Sequence, residues 1–263
     1  MTYWRRFAAF LAGAAVGALG GLIGLGGAEF RLPLLIGFFG FEALPAVILN
    51  KAMSLVVVAF SIPFRIPAVP LSEVLSHWSV VVNILSGSIV GAWVGASWAI
   101  GLRTSHFYKI IAALLLLMAA ALLFGHALSS DEPILTGFSL AVVGTVAGFF
   151  IGVVASLLGV AGGELLIPTI VLLYGIDVKV AGSLSLLVSL PTMISAFARY
   201  SRDGSFAVVR NEAEFAALMA AGSICGAFGG GHLLKMFSGS AILPLLSAIL
   251  VLSAFKMWRH AHK

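Results

Sequence analysis

Two carboxylates and two basic side chains lie in otherwise apolar sequence, and part of their surroundings occurs twice. The stretches Gly24-Leu25-Gly26-Gly27-Ala28-Glu29-Phe30-Arg31-Leu32-Pro33 and Gly159-Val160-Ala161-Gly162-Gly163-Glu164-Leu165-Leu166-Ile167-Pro168 each run from clustered glycines through a glutamate to a proline. Clustered glycines unwind a helix and let a ligand approach the backbone, while the proline suits the first turn of a new helix. A short helix starting there aims free N–H groups and a positive dipole end at whatever lies before it, which favours an anion. Gly24, Gly26, Gly27, Gly159, Gly162 and Gly163 are therefore candidate substrate-binding positions. The plainer reading is a pair of interfacial turns, since glycine is common at membrane boundaries.

Glu29 and Glu164 occupy the same place in the two stretches. A carboxylate at membrane depth is costly and usually functional, so both are candidate proton relays; capping the N–H groups of the short helices is the structural alternative. Arg31 follows Glu29, but Leu166 takes its place after Glu164, so the two stretches are chemically unequal. Further on, Asn50 and Lys51 correspond to Ser185 and Leu186. Lys51 could meet an anion as a point charge, or snorkel to an interface from near a helix end. Ser54 matches Ser189, and Ser183 and Ser185 add hydroxyls that could line the same cavity or bond their own helices.

Other chemistries find little support. The single cysteine, Cys225, precludes an intrachain disulfide or a cysteine cluster, and the histidines are scattered. There is no His-Glu-x-x-His, Gly-x-Ser-x-Gly or Gly-Lys-Ser/Thr motif, so neither catalysis, a metal nor a cofactor is expected.

The elements that must position these residues are membrane helices. Of 263 residues 61% are hydrophobic and 10% charged, against about a quarter charged in ordinary soluble domains. Apolar runs of spanning length fall at about 7–28, 46–64, 78–101, 107–127, 135–158, 180–198, 213–234 and 240–258. Shorter ones at about 30–43 and 165–176 predict broken or re-entrant segments. The fold class expected is an all-α integral membrane protein with about eight full crossings and two short segments. The net charge of +5 sits at the ends of apolar runs, where it orients helices rather than binding nucleic acid.

An offset of 135 residues superposes Gly13, Gly17, Leu22, Gly24, Gly27, Glu29 and Pro33 on Gly148, Gly152, Leu157, Gly159, Gly162, Glu164 and Pro168. The same register carries Gly87, Ser88, Ile89, Gly91, Ala92 and Gly95 onto Gly222, Ser223, Ile224, Gly226, Ala227 and Gly230. Two repeats are expected, 1–128 and 129–263, joined into one transmembrane domain. Glycines every four residues, as at Gly13, Gly17 and Gly21 or Gly87, Gly91 and Gly95, make smooth stripes for close helix packing. They predict that the first and third full helices of each half form a tight core.

Two topologies fit. Re-entrant short segments give four crossings per half in parallel; spanning ones give five per half and an inverted repeat, moving Arg65 outside and Arg103 inside. Both place the termini in the cytoplasm and the charge rule barely separates them; eight full crossings in two parallel halves is the order expected.

At the two elbows the chain resembles the sulfite exporter family of the TauE/SafE type, also described as toluene-sulfonate uptake permeases. The resemblance rests on GLGGAEFRLPLL and GVAGGELLIPTI, with VLLYGIDVKVAGSLSL after the second, and extends over essentially the whole chain. It implies transport of sulfite, sulfonates or related small anions across the bacterial inner membrane. The expected partners are that anion, the lipid bilayer and protons. Alternating access around the two breaks is the expected mechanism; an anion channel, a carrier of another organic anion and a non-transporting membrane module are the alternatives.

Overall fold

The structure, a computed structural model, describes residues 3–23, 27–65, 69–124, 135–233 and 239–260. Regular structure among them is wholly helical. The long helices are α1 (Tyr3–Ile23), α3 (Ala43–Arg65), α5 (Trp78–Gly101), α6 (Thr104–Phe124), α7 (Gly137–Leu158), α9 (Val178–Tyr200), α11 (Ala213–Leu233) and α12 (Gly239–His260). They coincide with the long apolar runs, because backbone polar groups in an apolar setting are satisfied within a helix. Two short helices, α2 (Ala28–Gly37) and α8 (Gly163–Tyr174), coincide with the short runs. The polar links hold two elements that hydropathy does not reveal, α4 (Leu71–Ser76) and α10 (Ala207–Asn211), the latter after a 3-10 turn at Gly204–Phe206. By length and hydropathy, Ala43–Phe60, Trp78–Gly101, Gly137–Leu158 and Lys179–Tyr200 are fit to cross a membrane.

Local chemistry explains several boundaries. Gly159 closes α7 in the left-handed conformation (φ 67°), which a side chain would strain. The Asp177 carboxylate accepts the Lys179 N–H at 2.8 Å and caps α9. The prolines depart from expectation: Pro33 and Pro168 lie inside α2 and α8, not in their first turns. There each lacks the N–H that would bond the carbonyl four residues back, which belongs to Glu29 in one helix and Glu164 in the other.

Helix ends gather on two faces. At one, Arg5 in the first turn of α1 bonds Glu212 at 3.1 Å and stacks over Phe41 and Phe215, ahead of α3 and at the start of α11. Lys109 near the start of α6 lies over Trp258 near the end of α12, and Lys256 lies against Gly37, the last residue of α2. Arg199 and Arg202, at the end of α9, meet Ser97 and Trp93 toward the end of α5. At the opposite face the Tyr174 ring at the end of α8 approaches Asn83 near the start of α5 and Gly144 near the start of α7. Thus α1 begins at one face and α7 at the other, and α2 returns to the face from which α1 set out. The parallel order expected from the sequence places α1 and α7 at the same face; the described helix ends run opposite to it. A short helix returning across its partner reverses every later element, and hydropathy carries no information on that return.

The glycine stripes pack closely, but not within 1–128 and within 129–263 as expected: each meets a helix from the other side of that division. Gly13 and Gly17 of α1 abut the Met219 and Ser223 backbone of α11, and Gly222 and Gly226 answer against Phe10 and Ala14. Gly87, Gly91 and Gly95 of α5 lie on Thr145, Phe149 and Val153 of α7. The first helix of each half therefore pairs with the third helix of the other. The fourth long helices, α6 and α12, pair likewise, and α3 packs on α9. Gly21 and Gly230 belong to side chains outside the described set.

Candidate functional site

The two elbows are the tips of helical hairpins. Gly27, left-handed at φ 70°, opens α2, and its carbonyl accepts from the Phe30 and Arg31 N–H groups. Gly162, at φ 85°, opens α8 in the same way and accepts from Leu165 and Leu166. No side chain caps either tip, so the first N–H groups of both helices have no intrahelical acceptor. Gly27 lies against Val16, part-way along α1, which places the first tip inside the bundle rather than at its face. The second tip is locked onto the first half, because Gly159 abuts the Val47 carbonyl and Asn50 of α3. Gly24 and Gly26 fall outside the described residues.

Glu29 and Glu164, each in the first turn of its short helix, come together between the tips closely enough to interact. Both are buried, and both carboxylate oxygens of Glu29 and Oε2 of Glu164 find no donor among the described residues. Buried acceptors are almost always paired, so orphaned ones call for a specific explanation, among them strain, a functional role, or a water, ion or proton. Each carboxylate also lies near its own backbone N–H in the first turn, the contact that capping of the short helices requires.

Arg31 is fully buried and spans both halves of the chain. Its Nη1 donates to Asn50 Oδ1 at 3.4 Å and Ser54 Oγ at 3.2 Å, and its Nη2 to Ser223 Oγ of α11 at 3.1 Å. Nε has no acceptor among the described residues. Where Leu166 replaces it in the second half, Ser88, the counterpart of Ser223, instead bonds Thr192 of α9 at 2.7 Å.

Asn50 and Lys51 both donate to backbone carbonyls. Both are completely buried, so Lys51 does not snorkel. Its Nζ donates to the Ala155 and Val160 carbonyls at 2.8 Å each, and Asn50 Nδ2 donates to the Leu158 carbonyl at 3.1 Å and the Ala28 carbonyl at 2.9 Å. Together they satisfy carbonyls at the C-terminal end of α7, where the dipole favours a cation. Asn50 thereby ties one elbow to the other.

Of the other predicted serines on α9, one reaches an elbow and two bond their own helix. Ser189 donates to the Ala161 carbonyl in the second elbow at 2.9 Å. Ser185 and Ser183 bond their own helix, at the Gly182 and Lys179 carbonyls. Reading residue types missed Ser223 and Ser88, although both sit inside the matched glycine stripes; serines standing at the same 135-residue offset were the available signal. It also missed Tyr200, whose hydroxyl donates to the Ser156 carbonyl at 3.0 Å.

Membrane-length apolar helices around a buried charged cluster define a multi-pass helical membrane protein. The family model for the sulfite exporter TauE/SafE matches residues 9–258. The chain belongs to that family, which makes it a membrane transporter of the sulfur-anion class. Neither a curated protein nor a solved structure matches it.

Proposed function

We propose that this protein is a carrier for a small sulfur oxyanion, sulfite or an organosulfonate, working by alternating access around the two hairpin tips. The observation that carries the reading is the meeting of two uncapped short-helix N-termini, opened by Gly27 and Gly162, inside the bundle. Broken helices at corresponding places in two halves mark the binding site of secondary transporters, and their N-termini suit an anionic group.

In this reading the repeats 1–128 and 129–263 form one transmembrane domain with five segments per half, inverted relative to each other. The exchange of partners between α1–α11 and α7–α5, with α3–α9 and α6–α12 as the symmetric pairs, supports it. Charge supports it too. Arg5, Arg6, Arg103, Lys109, Arg199, Arg202, Arg210, Lys256 and Arg259 then share the face of both described chain ends, and Arg65 and Lys179 lie opposite. That face is cytoplasmic by the positive-inside rule, in a bacterial inner membrane.

The backbone N–H groups at the tips bind the oxyanion, and Arg31 supplies its counter-charge through the unpaired Nε. Lys51 acts indirectly, by holding the end of α7. The hydroxyls of Ser54, Ser183, Ser185 and Ser189 line the path, and Glu29 and Glu164 couple anion movement to protons.

Flux of labelled sulfite into liposomes holding the purified protein, with thiosulfate and a small sulfonate as competitors, tests the assignment. Saturable, competed uptake is expected; no uptake of any sulfur oxyanion removes the cargo.

A further inference from the structure

We propose that Glu29 and Glu164 act as one carboxyl pair holding a single shared proton where the two hairpins meet, rather than as two separate relays, one per half. The inference deepens the transport reading and rests on it for its physiological use, but not for its chemistry.

Three observations carry it. First, the two carboxyls come from matched positions and approach each other inside the bundle. Second, three of their four oxygens have no donor among the described residues, although both side chains are buried. A carboxylate only accepts, so two facing carboxylates cannot satisfy each other; a proton turns one of them into a donor. Third, the neighbouring cations are already placed. Both Nη atoms of Arg31 are engaged by Asn50, Ser54 and Ser223, yet its charge lies beside Glu29. Lys51 donates to Ala155 and Val160, the negative end of α7.

Charge balance then selects the occupancy. Two ionised carboxylates leave a net negative charge beside one guanidinium, in a setting where unpaired charge is costly. Without a bound anion, one proton between them leaves the pair a single negative charge, which Arg31 balances. The O–H of one carboxyl is donated to the carboxylate of the other, no further bond forms or breaks, and the proton leaves to water when either hairpin opens.

Other ionisable groups on the surrounding elements lie toward their far ends. They are Arg5 and Arg6 on α1, Lys256 beside the end of α2, Tyr108 and Lys109 at the start of α6, Tyr174 at the end of α8, and Lys179 and Arg199 toward the ends of α9; the Tyr200 hydroxyl reaches nearer, to the Ser156 carbonyl in the last turn of α7. Among the described residues Arg31 is the cation that bears on the pair, while Lys51 is held at the C-terminal end of α7.

Infrared difference spectroscopy of the purified full-length protein across neutral pH reads the pair directly through the protonated-carboxyl C=O stretch. The wild type should show this band, and Glu29→Gln and Glu164→Gln should each remove it. Survival of the band in either single variant, or its absence from the wild type, overturns the proposal. In liposomes, proton-driven sulfite uptake should fall at least about tenfold in each single variant, a shift of roughly one and a half kcal/mol, and no further in the double variant. Losses that multiply indicate two independent relays and overturn it, as does uptake driven by sodium instead of protons. If no sulfur oxyanion is carried at all, the cargo assignment fails while the infrared result still decides the pair.

Discussion

Arg31 Nη2 donates to Ser223 Oγ at 3.1 Å, a hydrogen bond joining the first short helix to a helix 192 residues further along the chain. In the second half Leu166 fills the equivalent place, and Ser88 turns to Thr192. One half thus offers a guanidinium beside its hairpin tip and the other an apolar side chain. In the proposed carrier, an anion between the tips would therefore meet chemically unequal neighbours on its two sides.

Arg31→Leu copies the second half and tests that asymmetry. Ser223 keeps its bond to the Met219 carbonyl at 2.9 Å, so one partner does not become an orphan. The variant should insert and fold while kcat/KM for sulfite falls at least about tenfold, the scale of losing a charged hydrogen bond. Arg31→Lys should recover only part, because an ammonium cannot reproduce the guanidinium fork. Unchanged kinetics in Arg31→Leu would remove Arg31 from the site.

Lys51→Met should act on stability. It leaves the Ala155 and Val160 carbonyls without their 2.8 Å partners, a cost of about 1–3 kcal/mol for each buried group left unsatisfied. The melting temperature in detergent should drop, with KM for sulfite in the surviving fraction little changed. A large rise in KM at unaltered melting temperature would make Lys51 a substrate ligand.

Close packing of α5 on α7 predicts a sharp contrast among glycines. A methyl at Gly91 would overlap the Phe149 carbonyl, whereas one at Gly229 meets nothing within 4 Å. Gly91→Ala should destabilise by about 1–3 kcal/mol, the usual cost of overpacking. Gly229→Ala should be neutral or slightly stabilising, because alanine is the better helix former. Thermal unfolding of the two variants side by side makes the comparison.

Orientation is open to chemical labelling. In a Cys225→Ser background, Arg65→Cys should react with a membrane-impermeant thiol reagent added outside intact cells. Arg103→Cys should react only after the membrane is opened. The reverse pattern belongs to the parallel four-and-four order.

Much of this was legible in the sequence, for reasons that also mark where legibility ends. The elbows announced themselves because glycine, glutamate and proline are rare company in an apolar run and recur at one offset. The stripes announced close packing, since residues four apart share a helix face. Which partner they meet was not written there: a smooth face fits any other smooth face, and the pairing of α1 with α11 crosses the halves. Lys51 was read as near a helix end because hydropathy starts its run at about 46, whereas α3 begins at Ala43 and carries the lysine into the interior. Its partners are backbone carbonyls of α7, which no side-chain pattern reports. Likewise, nothing in Glu29 or Glu164 alone said that they meet; that required the opposed directions of the two hairpins.

The central claim is carriage of a sulfur oxyanion by exchange of access between the two sides. Counterflow tests it most directly: liposomes holding the protein are loaded with unlabelled sulfite, diluted into a trace of labelled sulfite, and followed over time. The account predicts a transient accumulation of label above its equilibrium level, driven by outward movement of the unlabelled anion and lost in Arg31→Leu. Label that only equilibrates, at a rate proportional to concentration and indifferent to internal sulfite, would contradict a carrier and describe a pore.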